Sequence, residues 1–302
     1  MLLKNNKLSR QSEAEERLAW IFISPFIAGF LFFKLLPIVY GVFISFMDYN
    51  SLRKLGKGKF IGFKNYINIF TDKTALTSYL RSFQFSLIYV VGVIVLAIVI
   101  AVILNKSFPF RTATRTMIYM PYVANVVSVA MVFGIILDPY DGPITQLLNM
   151  IGIENTPMWL GGVETALPTV AVIAIWNSLA FPVIVYLAAL QEVPASLYEA
   201  SNIDGANVFQ KLRYITVPLI SPTTFFLVIT STINSFKNYA IIKTLTNGGP
   251  GVSTRVIALN MYEEAFQFNK YSYSSAQAIL VFLVIFILTM IQWKGQEKWV
   301  NY

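Results

Sequence analysis

The sequence contains no cysteine and no histidine. Disulfides, thiolate nucleophiles and metal sites built from Cys or His are therefore excluded, as is catalysis by imidazole. A Ser–His intramembrane protease, a His-dependent metalloprotease and His-ligated haem fall with them, while the missing cysteine leaves the redox compartment open. Charge is scarce too. Only 13% of the 302 residues are Asp, Glu, Lys or Arg, about half the roughly 25% usual in soluble chains. Apolar residues make up 56% and aromatics 15%. A soluble domain this apolar would expose large adhesive patches, so lipid is the natural solvent for most of the chain. The formal charge of +8 comes with no basic stripe and no aromatic RNA-binding motif, which argues against a nucleic-acid partner and for attraction to anionic membrane lipid.

A membrane-spanning helix needs about 20 mostly apolar residues. Six segments qualify: Trp20 to Phe46, interrupted by Pro25, Lys34 and Pro37; Phe83 to Leu104; Met117 to Leu137; Leu167 to Leu190, with Pro182 inside; a stretch that starts after Pro222 and fades near Ile242; and Ser275 to Trp293. The residues before Trp20 mix Lys4, Lys7, Arg10 and Arg17 with Glu13, Glu15 and Glu16 and precede no small-residue cleavage site, unlike a cleavable signal peptide. Loop charge does not orient the chain. With Lys237 counted among the outer residues, eleven basic residues fall on each side. Seven of the outer ones lie between Met47 and Ser82, including Arg53, Lys54, Lys57, Lys59 and Lys64.

The most informative polar stretch is Gln191 to Pro222, between the fourth and fifth spans. Its composition predicts a short helix, a break and a second helix. Pro194 and Ser196 mark a start, Gly205 permits positive φ at a helix end, Asn207 caps the next turn and Pro218 ends it. The first helix is expected to set Leu197, Tyr198 and Ile203 against Glu199 and Asp204. One reading is an interfacial helix lying on headgroups. With two basic residues against three acids, anionic lipid holds such a loop weakly, and a socket on another protein is the competing reading.

Glu199-Ala200, Gly205, Ile215, Val217 and Pro218 resemble the EAA motif of permease subunits in binding-protein-dependent ABC importers. Ser201 and Val217 depart mildly from that motif, and the Ile203–Ala206 run IDGA is the form associated with carbohydrate importers. SPFIAGFLFFKLLPIVYGVFISFMDYN, FIGFKNY at Phe60–Tyr66 and LTNGGPGVST at Leu245–Thr254 are similar to the MalF/UgpA-type sugar permeases, so the likeness runs through nearly the whole chain. It implies an all-α polytopic membrane protein of six transmembrane helices with the type I importer permease fold. Residues 1–302 would form a single permease domain in a bacterial cell membrane. A tail at 1–17 and the loop at 191–222 would both be cytoplasmic, as would both termini.

The resemblance also implies partners: a second permease subunit forming a heterodimer, a pair of ATPase subunits and an extracellular solute-binding protein. No Gly-x4-Gly-Lys-Ser/Thr occurs in this chain, so ATP and Mg2+ belong to the ATPase and this chain needs no cofactor and is not an enzyme. Glu199, Ala200, Asp204, Gly205, Ala206 and Pro218 become the residues expected to couple the spans to ATP hydrolysis, with Glu199 as the charged contact and Gly205 as the hinge. For Glu199, the competing account is a local charge complementing a helix dipole.

A sugar site inside a membrane needs groups that match hydroxyls and aromatic faces for ring CH patches. Two places supply them: Trp176, Asn177, Ser178, Phe181 and Tyr186 around the kinking Pro182, and Ser231, Asn234, Ser235, Asn238 and Tyr239 in the fifth span. On a helix, Ser231, Asn234/Ser235 and Asn238 share one face. Hydrogen bonding between helices is the competing role for these groups. Lys237 lies about 22 Å into the fifth span by helical rise, deep for a free cation. The family pattern has Gln here and an acid at Ala240. Lys237 therefore either snorkels to the outer surface, meets another subunit or faces an anionic substrate such as a uronate oligosaccharide. Lys34 is expected to snorkel outward, and Thr246–Thr254 to form a tight turn, near the binding-protein surface in the family.

Three other functions compete. A glycerol-phosphate or other small polar solute would suit the same kind of importer. A secondary transporter would show inverted repeats and often a buried acid; no internal repeat is evident and no carboxylate falls in the six segments. An intramembrane enzyme lacks its reactive groups.

Overall fold

A computed structural model describes residues 2–49, 58–106 and 109–300. Arg53, Lys54 and Lys57 of the basic outer stretch lie outside the described residues. Two compact units are resolved: residues 1–67 with 264–279, and residues 68–263 with 280–302. They divide the last helix between Ile279 and Leu280.

In the first unit, α1 (Leu2–Phe30) passes through a π-helical turn, Leu31–Leu35, into α2 (Leu36–Ser45). The tail expected at residues 1–17 is thus helical from Leu2 and runs unbroken into the first span. The π turn has a cause. Pro37 has no N–H and its ring crowds the carbonyl four residues earlier. Widening the preceding turn, so that the Leu36 N–H bonds to the Leu31 carbonyl, accommodates the ring. A two-residue ribbon follows, β1 (Met47–Asp48) against β2 (Lys59–Phe60), antiparallel with Met47 opposite Phe60. The short helix α3 (Lys64–Thr71) is held to it by Asn65, whose amide donates to the carbonyls of Ser45 and Met47 at 2.8 and 3.0 Å.

The second unit is organised around α4 (Lys73–Asn105), capped by Asp72, whose carboxylate accepts from the amides of Thr74 and Ala75. Its Val and Ile content is no obstacle to a helix, because in lipid every backbone group must be paired within the segment. α5 (Arg111–Val123), α6 (Val126–Ile136) and the short α7 (Pro143–Met150) lead to α8 (Ala166–Ser178) and α9 (Ala180–Glu192). The polar loop at 191–222 then contains α10 (Ala195–Ile203), α11 (Val208–Lys211), a π turn at Leu212–Thr216 and α12 (Val217–Leu219). α13 (Ser221–Phe236), α14 (Ala240–Leu245), α15 (Ile257–Tyr262), a third π turn at Glu263–Gln267 and α16 (Tyr271–Gln296) complete the chain.

Among the described residues, three helical stretches are long and apolar enough to cross a membrane: Glu15–Ser45, Lys73–Asn105 and Tyr271–Gln296. Three helix pairs pass the same test together but bend at a short break: Thr112–Val123 with Val126–Ile136 by 100°, Ala166–Ser178 with Ala180–Glu192 by 52°, and Val208–Leu219 with Ser221–Phe236 by 72°. The first two pairs fall on segments expected to span; in the third, Val208–Leu219 belongs to the loop at 191–222, and only Ser221–Phe236 lies in the segment expected after Pro222, where the helix stops short of Ile242. The number is six if each pair is one span.

The breaks correct the sequence reading in two places and locate the kink expected at Pro182 in a third. The segment Met117 to Leu137 is not one helix: Ala124 and Asn125 are extended, and Asn125 caps α6 by accepting from the Val127 amide. In the fourth segment the ladder is interrupted at Leu179, where Pro182 cannot bond back to Ser178. Pro218 does not end its helix. The π turn at Leu212–Thr216 precedes it with the same spacing as at Pro37, and the bend falls beyond it at Ile220.

Helix directions follow from contacts at two heights. A Cβ on Gly92 would come within 2.5 Å of the Ile175 side chain, so Ile175 of α8 packs directly onto the α4 backbone at this glycine, the close fit that a small residue permits between membrane helices. Further along, Val102 and Leu190 line one groove; α4 and the α8/α9 pair therefore run in the same direction. Ser235 donates to Ser86 at 2.7 Å, whereas Thr216 lies beside Val102, so α13 runs the opposite way.

Candidate functional site

Tyr89 lies 16 residues from each end of α4, about 24 Å by helical rise, so whatever surrounds it sits at mid-height of that helix. There the structure opens a cavity of about 220 Å³ lined by Tyr89, Asn177, Ser178, Asn234, Lys237 and Asn238 with smaller apolar residues. The breaks described above create it. α13 stops at Phe236 and α14 starts at Ala240, so Lys237 and Asn238 stand at the interruption. Asn177 and Ser178 close α8 just before the Leu179 break, and the Asn177 amide donates to the Pro121 carbonyl at 2.7 Å, pairing a group that the end of α5 frees. Asn234 also lines an adjoining concavity of about 290 Å³ with Tyr122, Phe181, Thr230 and Ile233.

Of the residues proposed from sequence, Asn177, Ser178, Asn234, Lys237 and Asn238 thus share one cavity and Phe181 lines its neighbour. The others lie elsewhere. Tyr186 is fully buried and its hydroxyl donates to Thr224 at 3.1 Å. Ser231 is buried, and Ser235 is buried against Ser86. Tyr239 stacks on Tyr262 with centroids 4.6 Å apart, and Trp176 meets Phe133 edge-on at 5.2 Å. The continuous polar face expected from Ser231 to Asn238 does not form: Ser231 and Ser235 are buried in the packing, and α13 ends at Phe236, before Asn238. Tyr89 and Tyr122 complete the lining; in sequence, Tyr89 is one aromatic in an apolar run.

Lys237 is exposed and the cavity lining contains no carboxylate. Neither buried carboxylate, Glu263 nor Glu264, is among the lining residues. Glu263 accepts from Arg255 and lies 3.7 Å from Lys243, while Asn260 accepts from the Arg255 Nε at 3.1 Å. Glu264, in the first unit, pairs with Lys270 at 3.0 Å. Sequence reading placed no buried acid in the chain; both sit between the fifth and sixth expected spans, where hydropathy gives no sign of burial. The adjoining turn at Thr246–Thr254 is tight as expected, with positive φ at Asn247, Gly248 and Gly251. Among the described residues no group of three or more acidic side chains could hold a metal ion.

The loop between α9 and α13 has the expected helix–glycine–helix form. Gly205 has φ +73°, the Ala206 amide closes α10 on the Ser201 carbonyl at 2.9 Å, and Asn207 with Gln210 forms a capping box. Tyr198 bonds to Thr216 at 2.9 Å and Lys211 donates to Asn202, which ties the two halves together. Glu199, Ala200, Asp204 and Gly205 are exposed, while Ala206 and Pro218 are half-buried. The amphipathic pattern expected for α10 is corrected at Leu197, which is 41% exposed, and at Ile203. Ile203 is 88% exposed and joins Val208, Phe209 and Tyr214 as uncovered apolar side chains. Ser201 is the residue that faces inward.

Broken helices around a mid-height polar cavity, with a structured loop outside the bundle, define a membrane translocation protein. Residues 82–301 match the family described as "Binding-protein-dependent transport system inner membrane component", and the chain belongs to it. It is 32% identical to the probable ABC transporter permease protein YesP of Bacillus subtilis (strain 168), over 98% of this chain and 96% of that protein. It is 30% identical to the arabinooligosaccharides transport system permease protein AraP of Halalkalibacterium halodurans, over 96% of this chain and 90% of that one. Its fold is shared with a chain in the crystal structure of a bacterial alginate ABC transporter in complex with an alginate pentasaccharide-bound periplasmic protein. The TM-score is 0.83 at 24% identity, covering 95% of this chain and 96% of that chain. The fold is therefore the type I importer permease fold, and the family is a membrane component of ABC transporters rather than an enzyme.

Proposed function

We propose that this chain is a permease subunit of an ATP-driven importer and forms half of the path for an oligosaccharide delivered by an extracellular binding protein. The observation that carries this is the mid-height cavity, where three asparagine amides and hydroxyls of Ser178 and Tyr89 surround a space bordered by the aromatic faces of Phe181 and Tyr122. That mixture suits sugar hydroxyls and ring faces. The relative named for arabinooligosaccharides supports the same class.

Lys237 refines the substrate. A cation in a cavity lined by no acid favours a substrate bearing carboxylates, such as a uronate-containing oligosaccharide. It would equally attract a phosphate, which keeps glycerol-phosphate as the second reading. A secondary transporter is a weaker one, since the lining holds no carboxylate to couple an ion.

The loop at 191–222 is the coupling loop in this reading, on the cytoplasmic side with both termini. Ile203, Phe209, Tyr214 and Glu199 would dock in a groove of an ATPase subunit, where ATP and Mg2+ reside. Ala200, Asp204, Gly205, Ala206 and Pro218 would shape the docking helix. Closure of the two ATPases would swing this chain and a second, non-identical permease, turning the cavity outward.

Affinity purification of the chain from its native host tests the assembly. Recovery of a second permease and an ATPase is the expected result. Recovery of the chain alone, moving solute in liposomes without ATP, would overturn it.

A further inference from the structure

A second concavity, of about 320 Å³, lies between the end of α4 and the loop, far from the mid-height cavity. Its walls are Val102, Leu190, Val208 and Leu212, and its cations are Lys106 and Lys211. No carboxylate lines it. Lys106 is exposed at the end of α4 and makes no ion pair among the described residues. The chain is apolar up to Leu104 and turns polar at Asn105 and Lys106. The groove therefore sits where hydrocarbon gives way to headgroups, with an apolar slot below and two ammonium groups at its edge.

We propose that this groove binds one anionic phospholipid of the leaflet on the loop side, with an acyl chain against Val102 and Leu190 and the phosphate between Lys106 and Lys211. Charge complementarity and depth both select this occupant. A free phosphate would leave the apolar walls uncovered, and a zwitterionic lipid would bring a second positive group to two lysines. The bound lipid bridges α4 and the Tyr198–Thr216 clasp, so it fastens the loop to the bundle. Only that consequence for ATP coupling rests on the function proposed above.

The test is native mass spectrometry of the full-length chain, purified in mild detergent and titrated with phosphatidylglycerol or phosphatidylcholine. The wild type is expected to retain one phosphatidylglycerol that phosphatidylcholine does not replace. Lys106→Glu should weaken that retention at least about five-fold, from the roughly 1 kcal/mol that one basic residue contributes near an anionic surface. Val102→Phe, which fills the slot, should abolish it, while Lys73→Glu at the other end of α4 should leave it unchanged. Equal retention in wild type and Lys106→Glu overturns the proposal. So does displacement of the lipid by inorganic phosphate, which would mark a simple anion site, or its expulsion when an ATPase subunit is added, which would mark a protein groove. The lipid count needs no partner subunit, so failure of the importer assembly and failure of this site are read separately.

Discussion

Gly205 offers a direct test of how the loop is built. At φ +73° a side chain is strained whatever the surrounding space, and an added Cβ would meet nothing within 4 Å. The cost of Gly205→Ala is therefore purely conformational, about 1–2 kcal/mol for an L-residue held in the left-handed region. No clash adds to it. Asparagine tolerates that region far better, so Gly205→Asn should recover most of the loss. A change of 1–2 kcal/mol is a factor of about 5–30 in a local opening equilibrium. Hydrogen exchange followed by mass spectrometry should show that increase at Ala195–Ile203 and Val208–Thr216 in Gly205→Ala, with near wild-type exchange in Gly205→Asn. In the reconstituted importer the alanine variant should hydrolyse ATP with less uptake per ATP. If alanine and asparagine variants exchange alike, the left-handed requirement is not what shapes the loop.

Further expectations follow from the cavity and the ionic groups. Lys237→Gln should weaken competition by carboxylated oligosaccharides about ten- to a hundred-fold, the range of a charge-assisted hydrogen bond, and leave neutral ones unaffected; equal losses for both would remove the anionic reading. Glu263→Gln leaves Arg255 and Lys243 without their shared carboxylate, and a loss of about 3 kcal/mol is expected. A thermal unfolding midpoint in detergent that stays at the wild-type value would refute a structural role for the cluster. Asp138 accepts from the amides of Tyr140 and Asp141 at 2.9 Å each, and these bonds hold its carboxyl below the ordinary aspartate range. Because the folded value is the lower one, its contribution is present above the ordinary pKa and lost as pH falls through the depressed value. An NMR titration of the labelled carboxyl should find a midpoint under about 3.9, and one at or above that value would contradict these bonds.

Much of this architecture is legible in one dimension. Lipid demands runs of about 20 apolar residues with their backbone paired internally, so all six apolar segments can be read from composition. Gly205 and Asn207 are equally legible, because positive φ and helix capping depend on a few consecutive residues. Ile203 and Pro218 are not. Which side of a short helix is covered depends on Ser201 and Tyr198 meeting residues further along the loop, and a proline ends a helix only where no widened turn accommodates it.

Composition and local pattern alone determined that this chain lives in lipid, holds no Cys or His chemistry, and carries a helix–glycine–helix loop between two spans. The tertiary structure decided which polar residues face a cavity. Ser231, Asn234, Ser235 and Asn238 are interchangeable members of a polar face on paper. The break after Phe236 and the Ser86–Ser235 hydrogen bond turn two of them into helix–helix contacts and leave two beside Lys237. Tyr89, unremarked in an apolar run, joins them because α4 and α8 run the same way and pack closely at Gly92. Side-chain periodicity records which residues share a face of one helix, but a cavity is made by several helices and by where their hydrogen-bond ladders fail.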